Sequence, residues 1–278
     1  MSEMSKTDNV KKQYADAKNL STRIKLHQKY SINPYDFPTW LFNHYNFFEG
    51  CKILELGCGT GGAWENRIET LPKGTTLLLS DFSDGMVSDV RRKFSGYVNV
   101  FVQQIDIQGI PFLDNTFDIV IANHMLYHVP DLTKAVSEVY RILKPKGTFY
   151  SSTLSSKGMR EYLHNALKNF NPSLNAFTPE GCSFTLENGS VALKECFNDV
   201  QLFEHVDSLE ITKTQDLIDW IESTISIAHF SENDLVGLYD YFENIRKTQG
   251  VIKIPKLIGV FVSTKQAYPR KMKIPCST

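Results

Sequence analysis

Gly57, Cys58, Gly59, Thr60, Gly61 and Gly62 follow directly on a short, mainly apolar run at residues 53–56 that contains Glu55. Glycines there permit a tight turn and let a ligand reach the backbone without meeting a Cβ. A helix opening behind them would aim free N–H groups at an anion such as a carboxylate or a pyrophosphate. Asp81 stands about 20 positions further on, where a carboxylate would accept hydrogen bonds from a ribose diol. Taken alone the loop is ambiguous: Gly57, Gly59 and Gly61 satisfy Gly-x-Gly-x-Gly, while Gly57, Gly59 and Gly62 satisfy the dinucleotide fingerprint. A second group, His124, Tyr127 and His128, follows a later apolar run and offers a general base if the chemistry needs one. His128, at the loop crest before Pro130, is the first choice, with Tyr127 beside it.

These residues need a scaffold, and the chain alternates from residue 52 in a way that supplies one. Strands are expected at residues 53–56, 76–80, 98–103, 117–122 and 148–152. Helical spacing lies between them, clearest in Leu132, Ala135, Val136, Val139, Ile142 and Leu143, with Asp131 as the cap and residues 144–147 as the stop. Strands alternating with helices require crossovers, hence a mainly parallel sheet with both faces covered. Upstream, Val10, Tyr14, Ala17, Leu20, Ile24 and His27 share a helical face, Asn33-Pro34 breaks it, and residues 40–48 read as a second helix. Downstream the spacing predicts helices at 158–170, 187–197, 214–227 and 231–247, and strands at 200–211 and 257–264. The organisation expected is an N-terminal helical lid (1–48), a Rossmann-like core (49–155), a substrate-side segment that also completes the sheet (156–266), and a loose tail (267–278).

Composition narrows the partners. A net charge of −1 lacks the basic excess that phosphate-gripping proteins carry, and the basic clusters at 91–93 and 270–273 are not interleaved with stacking aromatics. No nucleic-acid partner is expected. The five cysteines are odd in number and scattered, without metal-ligand spacing, so no metal is expected and a reduced compartment is. The polar first 18 residues and the absence of a run of roughly 20 apolar residues fit a cytoplasmic protein with no membrane partner.

The ordered landmarks remove the ambiguity of the loop. Glu55-x-Gly57-x-Gly59-x-Gly61 is followed by residues 80–86 (Ser-Asp-Phe-Ser-Asp-Gly-Met), 105–107 (Ile-Asp-Ile), 117–131 and 141–147. In that order and spacing the chain resembles the class I S-adenosylmethionine-dependent methyltransferases, in particular the small-molecule group called methyltransferase type 11. The resemblance is close over residues 52–153 and loose elsewhere; Lys146 departs from the glycine usual there. It implies an α/β doubly wound, Rossmann-like seven-stranded sheet, mostly parallel with the last strand antiparallel, under a helical lid. It also implies S-adenosyl-L-methionine as cofactor and S-adenosyl-L-homocysteine as product. By the same resemblance, Gly57, Gly59 and Gly61 line the methionine moiety, and Glu55 orients the loop or the cofactor's amino group. Asp81 takes the ribose hydroxyls, Phe82 and Met86 pack on the adenine, Asp106 takes its amino group and Ile107 covers the ring. Asn123 approaches the transferable methyl, Arg23 meets the cofactor carboxylate, and Tyr14 closes over it.

Methyl transfer from a sulfonium is an in-line displacement in which charge disperses, so alignment and exclusion of water should carry most of the rate. The region after the fourth strand lacks the Asn/Asp-Pro-Pro-Tyr/Phe sequence of amino-directed DNA and glutamine methyltransferases, and no cysteine is placed as a nucleophile. A small-molecule acceptor is expected, in a pocket to which Tyr30, Trp40, Phe177, Phe184, Trp220 and Phe230 are candidates. An RNA or protein methyltransferase and a catalytically silent cofactor-binding protein are the alternatives.

Overall fold

The computed structural model describes residues 18–224 and 230–267. Helices α1 (Lys18–Tyr30) and α2 (Phe37–Phe42) lead into β1 (Lys52–Leu56), β2 (Thr76–Asp81), α3 (Asp84–Lys93), β3 (Val100–Gln104) and β4 (Phe117–Asn123). There follow α4 (Leu132–Ile142), β5 (Leu143–Leu154), α5 (Glu161–Phe170), α6 (Gly189–Lys194), β6 (Asp199–Ile211), α7 (Thr214–Glu222), α8 (Glu232–Gln249) and β7 (Ile252–Thr264). The strands form one seven-stranded sheet in the order β3-β2-β1-β4-β5-β7-β6. Pairing is parallel from β3 to β5, and β7 runs antiparallel to both β5 and β6. The fold is therefore the α/β doubly wound, mostly parallel sheet that the sequence led us to expect.

The unbroken apolar strands are the reason. Ile53, Leu54 and Leu56 of β1, and Ile119, Val120 and Ile121 of β4, are all buried, so neither face of the sheet can stay wet. One face packs on α4 through Ala135, Val136, Val139 and Ile142, the other on Trp64, Val90 and Phe94. A third apolar cluster joins Leu26, Leu163, Leu217 and Leu238 to the Leu209 and Ile254 end of the β6–β7 pair. Asp131 caps α4 as expected, accepting the Lys134 N–H at 2.9 Å.

Several boundaries differ from the sequence reading. The second helix lies at Phe37–Phe42 rather than 40–48, because Asp36 caps it by accepting from Thr39 and Pro38 suits its first turn. The following stretch is irregular and folds Phe47 against Trp64 and Tyr45 against Tyr150. β7 begins at Ile252, not 257: its first half pairs only with β6, which leaves an open edge where Pro255 needs no partner for its missing N–H. The 187–197 helix contracts to Gly189–Lys194, and that at 158–170 begins as a π-turn before α5. The 214–227 helix is described as Thr214–Glu222, with residues 225–229 outside the described residues, as are Val10, Tyr14 and most of the tail.

The strand order reverses between β1 and β4, which opens the crevice at their carboxyl ends. α1 lies over it, where a Cβ on Gly59 would come within 3.0 Å of Leu20. The far end of α1 is fastened to β6 by the Ser31–Leu209 bridge and the Ile32 N–H to Ser208 carbonyl bond.

Candidate active site

β1 delivers Glu55 into the protein interior, where it is 2% exposed. Its carboxylate accepts from Trp64 Nε1 at 2.5 Å and from Asn123 Nδ2 at 3.0 Å. Burial pushes its carboxyl up to about 7, against the pull of those two hydrogen bonds. Asn123, at the end of β4, also exchanges hydrogen bonds with the Tyr45 hydroxyl and accepts from Ser152 Oγ on β5. Glu55, Trp64, Tyr45, Asn123 and Ser152 thus form one connected floor beneath the glycine loop. Trp64, Tyr45 and Ser152 escaped the sequence reading; a lone buried Trp nine residues after an acidic residue carries no recognisable spacing.

Above this floor Gly57, Gly59 and Gly61 have φ of 70°, 56° and 66°, in the left-handed region that side chains avoid. Their surroundings differ. A Cβ on Gly61 would lie 2.6 Å from the Phe94 ring, so this glycine lets α3 pack; one on Gly57 would meet Met125 at 2.9 Å. Gly59 faces only the tip of Leu20. The expected helix after the loop is absent: two single 3-10 turns, Gly62–Trp64 and Ile68–Thr70, replace it. Trp64 must drop into the core to reach Glu55, which ends the turn early. No helix dipole acts here, and the Cys58, Gly59 and Gly61 N–H groups are already bonded to the Ser80 carbonyl, Asp81 and the Cys58 carbonyl.

Asp81 closes β2 and accepts the Gly59 N–H on one carboxylate oxygen and the Ser83 N–H on the other, both at 2.9 Å. Burial raises its carboxyl from the ordinary value, opposed by these N–H groups. The Phe82 N–H also bonds to this carboxylate. Ser83 caps α3. Phe82 is half-buried, and Met86 is buried within the protein. Ile105 is held by its N–H to the Asp81 carbonyl, Ile107 is buried, and exposed Asp106 accepts from the Gln108 backbone and side chain. Arg23 sits on α1 one turn beyond Leu20, its Nε donating to the Asn19 carbonyl. Tyr14 lies outside the described residues.

In the loop after β4, Tyr127 is buried and His128 occupies the 3-10 turn Leu126–His128 with its ring 4.6 Å from that of Tyr127. His124 is differently placed. Its φ of 49° is unusual for a residue with a side chain, and its ring lies 5.2 Å from Phe37 of the lid. Burial and then the charge of Lys256 hold its imidazole down at about 4. His27 of α1 is held at about 3, by burial first and then by Lys256. Of the aromatic candidates, Phe184 is core against Phe261, and Tyr30 is tied to Asp216 at 2.8 Å. Trp40 packs on His205, and Phe177 stacks on Trp220, whose ring faces His27 at 6.3 Å. Phe230 packs against the α1–α8 cluster.

The buried carboxyl of Glu55 gives the first expected result. A carboxyl whose value is raised on folding stabilises the protein fully while protonated, below about pH 4.5, and loses that contribution as pH rises through about 7. Wild type should therefore lose up to roughly 3 kcal/mol across that window relative to Glu55→Gln, which keeps an acceptor for Trp64 without ionising. Urea unfolding of both proteins from pH 4.5 to 8 measures the difference; parallel pH profiles would refute it.

Residues 54–151 match the family model described as a methyltransferase domain. A ubiquinone/menaquinone biosynthesis C-methyltransferase of Desulfotalea psychrophila is 33% identical over 96 residues, which cover 34% of this chain and 38% of that protein. The chain spans less than half the length of the curated relatives it matches. Among solved structures, the phosphoethanolamine N-methyltransferase 2 of Haemonchus contortus with S-adenosyl-L-methionine superimposes with a TM-score of 0.57 at 18% identity, covering 93% of this chain and 59% of that one. The [4+2]-cyclase SpnF superimposes at 0.60 and 14% identity, covering 95% and 97%. These two likenesses show the fold, and a fold shared by a methyltransferase and a cyclase hosts more than one chemistry. With the sheet, the loop and the domain match together, residues 54–151 of this chain are similar to the methyltransferase domain, on a fold shared with solved methyltransferases.

Proposed function

We propose that the protein transfers a methyl group from S-adenosylmethionine to a small-molecule acceptor. The observation that supports this best is Asp81: a half-buried carboxylate, fixed by the N–H groups of Gly59 and Ser83, at the mouth of a glycine loop. That donor set fits a ribose diol, and the backbone above Gly59 is open to an amino-acid tail but for one flexible leucine tip. Bound there, the cofactor would supply an electrophilic methyl on a cationic sulfur.

The chain's own residues then have these tasks. Asp81 holds the sugar, Gly57 and Gly59 admit the methionine portion, and Phe82 and Ile107 flank the base. Arg23 of α1 faces the carboxylate from the lid. Asn123, locked by Tyr45, Glu55 and Ser152, fixes the wall beside the methyl. The lid and the loop after β4 exclude water, so alignment supplies the rate enhancement, on the order of 7–11 kcal/mol for well-oriented reactants. Any proton on the acceptor would go to an imidazole of that loop, and His124 is better placed than His128 because its ring shares the lid's Phe37 and His27 surroundings.

Calorimetry with S-adenosylhomocysteine and with NAD, followed by incorporation of labelled methyl from S-adenosylmethionine into a metabolite extract, tests the reading. Binding of S-adenosylhomocysteine alone and label in a small molecule are expected. Binding of NAD alone, or label only in RNA or protein, would overturn it.

A further inference from the structure

Between α1, the loop after β4 and the β6–β7 pair lies a polar cluster that the cofactor site does not use. Lys256 of β7 is buried, its side chain 9% exposed, and donates to Asp207 Oδ2 at 3.0 Å and to Ser31 Oγ at 3.2 Å. Asp207 of β6, its side chain fully buried, also accepts from Ser31 and from the N–H groups of Ile32, Asn33 and Ser208. Asp207 is saturated; Lys256 keeps one of its three N–H groups beyond these two bonds. Two further buried polar atoms have no partner among the described residues: His27 Nδ1, whose imidazole feels the Lys256 charge, and Trp220 Nε1, whose ring lies 6.3 Å from that of His27. Folded proteins rarely leave such groups unmet, and each one asks for an explanation.

The electrostatics point the same way. Lys256 is the strongest charged influence on His27, ahead of His124 and the opposing carboxylate of Asp207, with Arg23 the weakest. His124, next in sequence to Asn123, feels the same lysine. The neighbouring walls are flat and apolar: Phe37 lies against His124, and Phe177 stacks on Trp220.

We infer that this cluster is the acceptor's anchoring subsite, and that the acceptor is a flat small molecule carrying an oxyanion, a carboxylate or a phosphate, received by the free N–H of Lys256 together with His27 and Trp220. The inference rests on the methyltransferase reading, because Lys256 acts on His124, next in sequence to Asn123, where that reading puts the methyl. An anion there would complete the three unmet polar groups at once and set the remainder of the molecule against Phe37 and Trp220.

The test uses the full chain saturated with S-adenosylhomocysteine, titrated with benzoate, phenyl phosphate and the neutral isostere benzamide. Binding is followed by the imidazole resonances of His27 and His124. At least one anion is expected to bind tenfold or more tightly than benzamide and to move both imidazoles; whichever anion wins identifies carboxylate or phosphate. Lys256→Met combined with Asp207→Asn, which leaves no orphaned charge, should abolish the preference. Trp220→Phe, which keeps the stacked ring, should weaken the anion several-fold and leave benzamide unchanged. Equal binding of all three probes, or no movement of either imidazole with the nucleoside bound, would overturn the inference alone. Failure of S-adenosylhomocysteine to bind would overturn the methyltransferase reading beneath it.

Discussion

Replacing Asp81 by Ala should weaken S-adenosylhomocysteine binding by roughly 1–3 kcal/mol, about 5- to 150-fold. Two effects add. The variant loses the charge-assisted hydrogen bonds that a carboxylate makes to a diol, and it frees the Gly59 and Ser83 N–H groups that now terminate on its oxygens. The loop would lose its tie to β2, so the on-side backbone geometry relaxes with the lost contact. Asp81→Asn separates the two effects, since the amide oxygen can hold one N–H while its NH2 opposes the other. An intermediate affinity is expected for Asn. Calorimetry at fixed pH reads both variants, and an unchanged dissociation constant for Asp81→Ala would remove this residue from the site.

The largest stability effect is expected at Asp207. Asp207→Ala removes the acceptor for Ser31, Ile32, Asn33, Ser208 and Lys256 and leaves the lysine charge buried without a counter-ion. Breaking a buried pair from one side costs about 3–5 kcal/mol, a large part of the 5–15 kcal/mol typical of a whole domain. Neutralising both partners, as Asp207→Asn with Lys256→Met, should cost far less. The sign with pH is also fixed. Burial opposes the charge on Asp207, but the hydrogen bonds from Ser31 and Lys256 outweigh it and hold the carboxyl at about 2. Its stabilising contribution is complete above about pH 4 and fades as pH falls towards 2. Urea unfolding at pH 7 compares the single and double variants; a single variant as stable as wild type would show that the tie between the lid's exit and β6 carries no load.

Much of the fold was legible because the periodicities are strong. Continuous apolar runs at β1, β2 and β4 can be buried only in a sheet covered on both faces, and the α4 stripe with its Asp131 cap has one sensible reading. The boundaries that moved were decided by local chemistry that a window of spacing averages away: the Asp36 cap of α2, and the open edge that admits Pro255 into β7. The helix expected after the glycine loop failed for a longer-range reason. Trp64 is drawn down to Glu55, and that hydrogen bond outcompetes the continuation of a turn whose sequence permits either.

Taken as a string of residues, the protein already specifies its strand order of chemistry: a glycine loop, an acidic residue closing the second strand, and a polar residue closing the fourth, because each lies within a few positions of the element that carries it. Only the tertiary structure decided what depends on distant partners meeting. Asn123 finds Tyr45 and Ser152, 78 and 29 positions away, and Lys256 finds Asp207 and Ser31 at separations of 49 and 225. No local pattern encodes such pairs; they arise when β7 folds back between β5 and β6 and the lid is laid across the end of the sheet.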